Sequence, residues 1–175
     1  PLFQAEDGIR DNGAGLVGSE MCIRDRAFSE NCFEASGVVS TENITTTLQI
    51  GTIDLTLKDQ TGNSVFSDSG FLAGNITGTD GIGTTFLSHK AKFDKGNQFV
   101  TSGDKAELAY PYVRRTTEDG TPCSFWVHET ISTITKGARF FKDVISAEVY
   151  ADGYISNCPD ENTNYFVLTG NICTE

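Results

Sequence analysis

The chain has 175 residues, with 13 basic and 24 acidic side chains and a formal net charge of −11. That balance argues against nucleic-acid binding, which needs clustered Lys and Arg against phosphates, and no apolar run approaches the roughly 18 residues of a membrane-spanning helix. Eighteen glycines, Thr-rich stretches and few strong helix formers point to β structure, while 38% hydrophobic content suffices for a folded core.

Residues 1–26, PLFQAEDGIRDNGAGLVGSEMCIRDR, show no period of two and only a weak helical pattern over 16–26. The run Gln4-Ala5-Glu6-Asp7-Gly8-Ile9-Arg10-Asp11 resembles the translation of a flow-cell adapter used in short-read DNA sequencing. Leu16-Val17-Gly18-Ser19-Glu20-Met21-Cys22-Ile23-Arg24-Asp25 resembles the translated transposase mosaic end of tagmentation libraries, with a variable index between. The resemblance covers residues 4–26 and implies an artefactual extension, unstructured or spuriously helical; a genuine amphipathic helix is the alternative. Such segments are set aside before fold reasoning, as tags are. Met21, Cys22 and three basic residues then leave the argument, and the lack of an export signal carries no information.

Residues 27–175 form the expected domain, with ten basic and 19 acidic side chains. Over 44–57, Ile44, Thr46, Leu48 and Ile50 alternate onto one face. A turn cluster at 59–63 precedes a strand over 71–79. The glycines of 78–83 precede a strand rather than a helix, so they read as a connecting loop and not as a phosphate cradle. Over 84–93, Thr85, Leu87, His89, Ala91 and Phe93 share a face, and Asp94-Lys95-Gly96-Asn97 suits a tight turn. Strands over 98–101 and 105–110 follow, then a polar loop around Arg114 and Arg115. Over 123–133, Phe125, Val127, Glu129 and Ile131 align. Over 144–156, Ile145, Ala147, Val149 and Ala151 align, and 164–172 closes the chain.

About eight strands in 149 residues fit an all-β antiparallel barrel or small sandwich. Closure removes the exposed edges that long alternating strands would otherwise present. Four cysteines remain: Cys32, Cys123, Cys158 and Cys173. An even count at wide spacing fits two disulfides and an extracellular or periplasmic setting; four reduced thiols are the alternative. No C-x-x-C pair suggests zinc or redox chemistry. In an even-stranded barrel the first strand's start lies beside the last strand's end, which places Cys32 near Cys173. Cys158 sits at the last hairpin turn, on the order of 33 Å from Cys173 at strand rise, far beyond the roughly 7 Å that a bridge tolerates. Cys123 opens a strand paired with 144–156 through a turn near Gly137, so it lies at the Cys158 end. The expected bridges are Cys32–Cys173 and Cys123–Cys158.

The run Gly78…Gly83-Thr84…Leu87-Ser88-His89, then Gly96…Phe99…Thr101…Asp104-Lys105-Ala106…Leu108, resembles bacterial secreted proteins of the allene-oxide-cyclase-like barrel group, related in fold to dirigent proteins. Ile134…Gly137-Ala138-Arg139-Phe140, Ala147…Val149…Gly153…Ile155 and Leu168-Thr169-Gly170-Asn171-Ile172 agree with it. The likeness spans most of 71–173 and implies an eight-stranded barrel, often a homo-oligomer, with an apolar pocket at one mouth. No catalytic residue carries over, since Lys136-Gly137-Ala138-Arg139 departs from the group's usual Gly-Thr-Gly.

His89 and Glu129 interrupt apolar strand faces. Such a pair is either an acid–base couple or, more simply, a hydrogen-bonded structural pair. Trp126 and His128 fall on the opposite face and read as exterior or interface residues. With two histidines in the chain, a three-His metal site is excluded, and no metal or cofactor is expected. The leading expectation is a barrel binding a small apolar ligand in a pocket of His89, Glu129, Leu87, Phe93, Val127, Ile131 and Val149. A structural or surface protein with a filled interior and an aromatic patch near Trp126 and Tyr150 is the second reading. An isomerase or cyclase acting by substrate positioning is the third.

Overall fold

The computed structural model describes residues 31–175; the expected N-terminal extension, 1–26, lies outside the described residues. Ten strands follow one another: β1 (Asn31–Asn43), β2 (Leu48–Lys58), β3 (Ser64–Thr79), β4 (Thr84–Lys92), β5 (Gln98–Thr101), β6 (Asp104–Thr116), β7 (Pro122–Ile131), β8 (Ile134–Ala138), β9 (Val144–Ser156) and β10 (Thr163–Thr174). Eight of them close a ring in the order β3-β2-β1-β10-β9-β7-β6-β4, and β4 returns to β3. Every pairing is antiparallel. The all-β barrel is therefore present, with closure leaving no long open edge in the ring.

Membership of the ring differs from the expectation in one place. Gln98–Thr101 is not a ring strand: β5 pairs with the end of β4 and with β8, forming a two-stranded flap. Its place is taken by β1, whose Ser-, Thr- and Glu-containing sequence conceals a buried face of Ala35, Val39 and Thr41. The chain between β7 and β9 makes no simple turn at Gly137. That glycine lies inside β8, where a Cβ would meet the Phe141 carbonyl oxygen at 1.7 Å. Only glycine lets residues 139–141 fold back as a short 3-10 turn.

Two further phase readings change. Residues 44–47 are the β1–β2 turn, and Ile44 is exposed. The buried face of β2 is Ile53, Leu55 and Leu57, opposite in phase to Leu48 and Ile50. A register shift at the start of β9 inserts Ile145 as an extra residue, so it is exposed rather than aligned with Ala147, Val149 and Ala151.

The two ends of the ring differ. At one end, Cys32–Cys173 joins β1 to β10. Beside it, Phe33, Phe66, Phe93, Phe99, Phe140 and Phe141 pack with ring centroids 5.0–6.0 Å apart and plug the barrel. Edge-to-face contacts at these spacings add to the area each ring buries. At the other end, Cys123–Cys158 ties β7 to the β9–β10 connection. Both expected bridges are present. This end carries the hairpin turns at 80–83 and 117–121 and is not plugged by aromatic rings.

Candidate functional site

Inward-facing side chains meet midway along the barrel, where β4 changes partner. Leu87 pairs with Asp104 on β6, but Lys90 pairs with Val100 on β5. His89 falls between these two ladders. Its backbone N–H instead donates to Thr101 Oγ1 at 2.8 Å. The Thr101 hydroxyl in turn donates to Asp104 Oδ2. The tight connection 101–104 thus presents a carboxylate to the imidazole, and His89 Nδ1 lies 2.8 Å from Asp104 Oδ2. Glu129 reaches in from β7, with Oε1 3.5 Å from His89 Nδ1. The imidazole rests against Gly74 of β3, where a Cβ would come within 3.0 Å of Cδ2 and Nε2. A larger residue at 74 would displace the ring.

The cluster is nearly dry. Asp104 is fully buried, and the side chains of Glu129 and His89 are 7% and 11% exposed. Two of its oxygens, Asp104 Oδ1 and Glu129 Oε1, have no hydrogen-bond partner. Such atoms each cost on the order of 1–3 kcal/mol, more when charged. Burial pushes the Glu129 carboxyl above its ordinary value, and the Asp104 charge adds to that, against the pull of His89. For His89, burial opposes the charged form, but the attraction of Glu129 and Asp104 outweighs it and raises the imidazole.

Two chambers flank the cluster. The first, about 60 Å³, is lined by His89, Glu129, Ile131 and Val149 together with Ile53, Leu72, Phe99, Ala147, Ala151 and Leu168. The second, about 120 Å³, runs toward the unplugged end past Leu87, Val127, Thr85, Leu108 and Ile155. Gln49, Glu129 and Phe166 are common to both walls. Six of the seven expected pocket residues therefore line one chamber or the other. Phe93 does not; it belongs to the aromatic plug. Asp104 and Thr101 carry no site role in the sequence reading, where they serve only the barrel-group likeness and 102–104 falls between the strands 98–101 and 105–110. The available signal was phase: Asp104, Ala106 and Leu108 are two residues apart, as strand neighbours on one face are.

A second polar cluster lies on the outer wall near Cys123–Cys158. Arg114 and Arg115 belong to β6 and are not a solvated loop. Arg114 donates to Glu161 Oε2 at 2.6 Å and Oε1 at 3.3 Å, and to Ser124 Oγ at 3.2 Å. Arg115 donates to Glu161 Oε2 at 3.1 Å and Asp160 Oδ2 at 2.8 Å. Ser156 Oγ completes the Glu161 shell at 2.9 Å, and the Arg114 guanidinium sits 3.6 Å from the Tyr154 ring centroid. These donors, Arg114 first, lower the Glu161 carboxyl to about 2. Trp126 and His128 project outward as expected; Trp126 packs edge-on to Tyr154, and His128 stacks on Tyr150 and meets Asp152 Oδ1 at 2.7 Å.

No protein-family model matches the chain, and no curated protein or solved structure matches it. No helix among the described residues is long and apolar enough to cross a membrane.

Proposed function

We propose that the protein is a secreted barrel that holds a small, largely apolar ligand in its interior without turning it over. The observation that carries this reading is the pair of neighbouring, mostly apolar chambers inside the ring, which share Gln49, Glu129 and Phe166 in their walls. A cavity of about 150 Å³ accommodates benzene; chambers of about 60 and 120 Å³ are smaller and suit a short-chain compound of a few heavy atoms. Two disulfides support residence in an oxidising compartment. The likeness of 71–173 to the allene-oxide-cyclase-like group supports a pocket-bearing barrel. Residues 4–26 are taken as adapter-derived, so a chain starting at residue 27 is expected to bind the same probes equally well.

Titration of methyl-labelled protein with ethanol tests the reading. Saturable shifts are expected at Ile53, Val149 and Leu168, which line the first chamber. Ala151→Leu fills that chamber and should abolish the shifts while the fold persists, at an overpacking cost of about 1–3 kcal/mol. Absence of saturable binding across a panel of short-chain alcohols would sink the proposal. Turnover of the same ligand is the second reading, favoured by the His89–Asp104 pair at the chamber wall. Recovery of a bound probe unchanged after prolonged incubation supports binding alone.

A further inference from the structure

The interior cluster has an imbalance that its own residues do not resolve. Two carboxylates face one imidazole in a dry interior. The imidazole Nδ1 lies closest to Asp104 Oδ2, and both acids keep an oxygen without a donor. Buried polar atoms are paired in the great majority of native structures, and exceptions call for an explanation.

We propose that His89, Asp104 and Glu129 bind one divalent transition-metal ion, through the imidazole nitrogen and one carboxylate oxygen from each acid. One ligand atom from each residue lies within 4.8 Å of the other two. The 3.5 Å from Nδ1 to Glu129 Oε1 matches the roughly 3.3–3.6 Å edge of a tetrahedron with bonds of about 2.0–2.2 Å, and the 2.8 Å hydrogen-bonded pair Nδ1–Asp104 Oδ2 opens by about 0.5 Å when an ion replaces the proton between them. A doubly charged ion against two carboxylates and a neutral imidazole leaves no net charge in the barrel. A mixed nitrogen and oxygen set suits Zn²⁺, Mn²⁺ or Co²⁺ rather than Ca²⁺ or Mg²⁺, which take oxygen ligands. Thr101 is the positioning residue. Its hydroxyl is oriented by the His89 N–H and holds Asp104 Oδ2, so the carboxylate cannot rotate away. Three protein ligands leave coordination positions open toward the first chamber, which His89 and Glu129 line. This goes beyond the ligand proposal and does not rest on it.

The full chain, stripped with a chelator, is titrated with Zn²⁺ by calorimetry and with Mn²⁺ while amide signals are followed by NMR. One Zn²⁺ per chain is expected, with Mn²⁺ broadening centred on residues 89, 104 and 129. Glu129→Gln should weaken Zn²⁺ binding by more than about 100-fold, and Thr101→Val by about 10- to 100-fold. His128→Ala, at the exposed His128–Asp152 pair, should change nothing. The proposal is overturned by absence of saturable binding, by broadening centred on residues 128 and 152, or by Zn²⁺ affinity that survives Glu129→Gln. If Glu129→Gln does not fold, the Mn²⁺ map on the unaltered chain decides alone. Ethanol titrated into chelator-treated protein reads the ligand proposal separately.

Discussion

The barrel carries two clusters of charged side chains, and their carboxylates live under opposite conditions. On the outer wall, both oxygens of Glu161 accept from Arg114, and Oε2 also accepts from Arg115 and Ser156. Two guanidinium groups face two acids there, and nothing is left over. Inside, Glu129 and Asp104 share one imidazole, and each keeps an orphaned oxygen. A well-paired network close to water contributes stability and specifies geometry, because the ions keep their charges cheaply and both Glu161 oxygens have donors. An under-satisfied network in a dry cavity costs stability, and a fold tolerates it where it serves a ligand or an ion. The difference separates a structural latch from a candidate site without reference to any relative.

The largest test of this contrast cuts the bridge beside the latch. The double variant Cys123→Ser/Cys158→Ser should lose about 2–4 kcal/mol in urea unfolding, since the bridge closes a 35-residue separation. Ethanol and Zn²⁺ binding should survive in the folded protein, because the interior cluster lies away from that end. Loss of both would mean that the latch shapes the site. Next comes a pair of matched substitutions in chelator-treated protein. Glu129→Met should raise stability by about 1 kcal/mol, because it removes a buried oxygen without a partner. Glu161→Met should lower the urea midpoint, since Arg114 and Arg115 then lose their shared acceptor. Shifts of the same sign in both variants would break the distinction.

The smallest effect is the part of the pH dependence that Glu161 contributes. The Glu161 carboxyl is near 2 in the folded chain against an ordinary value of 4.5. A folded-state value below the unfolded one means that the unfolded chain binds the proton more readily. The contribution is therefore full above about pH 4.5 and disappears as pH falls through about 2. The stability difference between the parent chain and Glu161→Gln, followed by thermal unfolding, should shrink over that window and be constant above it. A difference that is flat down to pH 2 would show that the Arg114 contacts do not hold in solution.

Much of the barrel is legible in short windows. The buried faces of β4, β7 and β9 appear as Leu87-His89-Ala91-Phe93, Val127-Glu129-Ile131 and Ala147-Val149-Ala151, because strand side chains alternate with a period of two. His89 and Glu129 stand out on those faces for the same reason. Where polar residues lie on the inner face, the pattern fades: Thr41 of β1 and Gln49 of β2 line the first chamber yet read as surface. Phase is lost similarly at Ile145, where one inserted residue turns the side chain outward.

The amino-acid sequence by itself determined the all-β content, most of the strand positions and, given closure of the barrel, the cysteine pairing. These follow from alternation and from chain distances along strands, which are local. Only the tertiary structure decided that β4 changes partner at His89, that Asp104 turns inward to meet it, and that Arg114 clasps Glu161 rather than solvent. Those contacts join residues 15 and 47 positions apart, from β4 to β6 and from β6 to the β9–β10 connection. Register between strands is set by closure of the whole ring, and no window of the chain contains it.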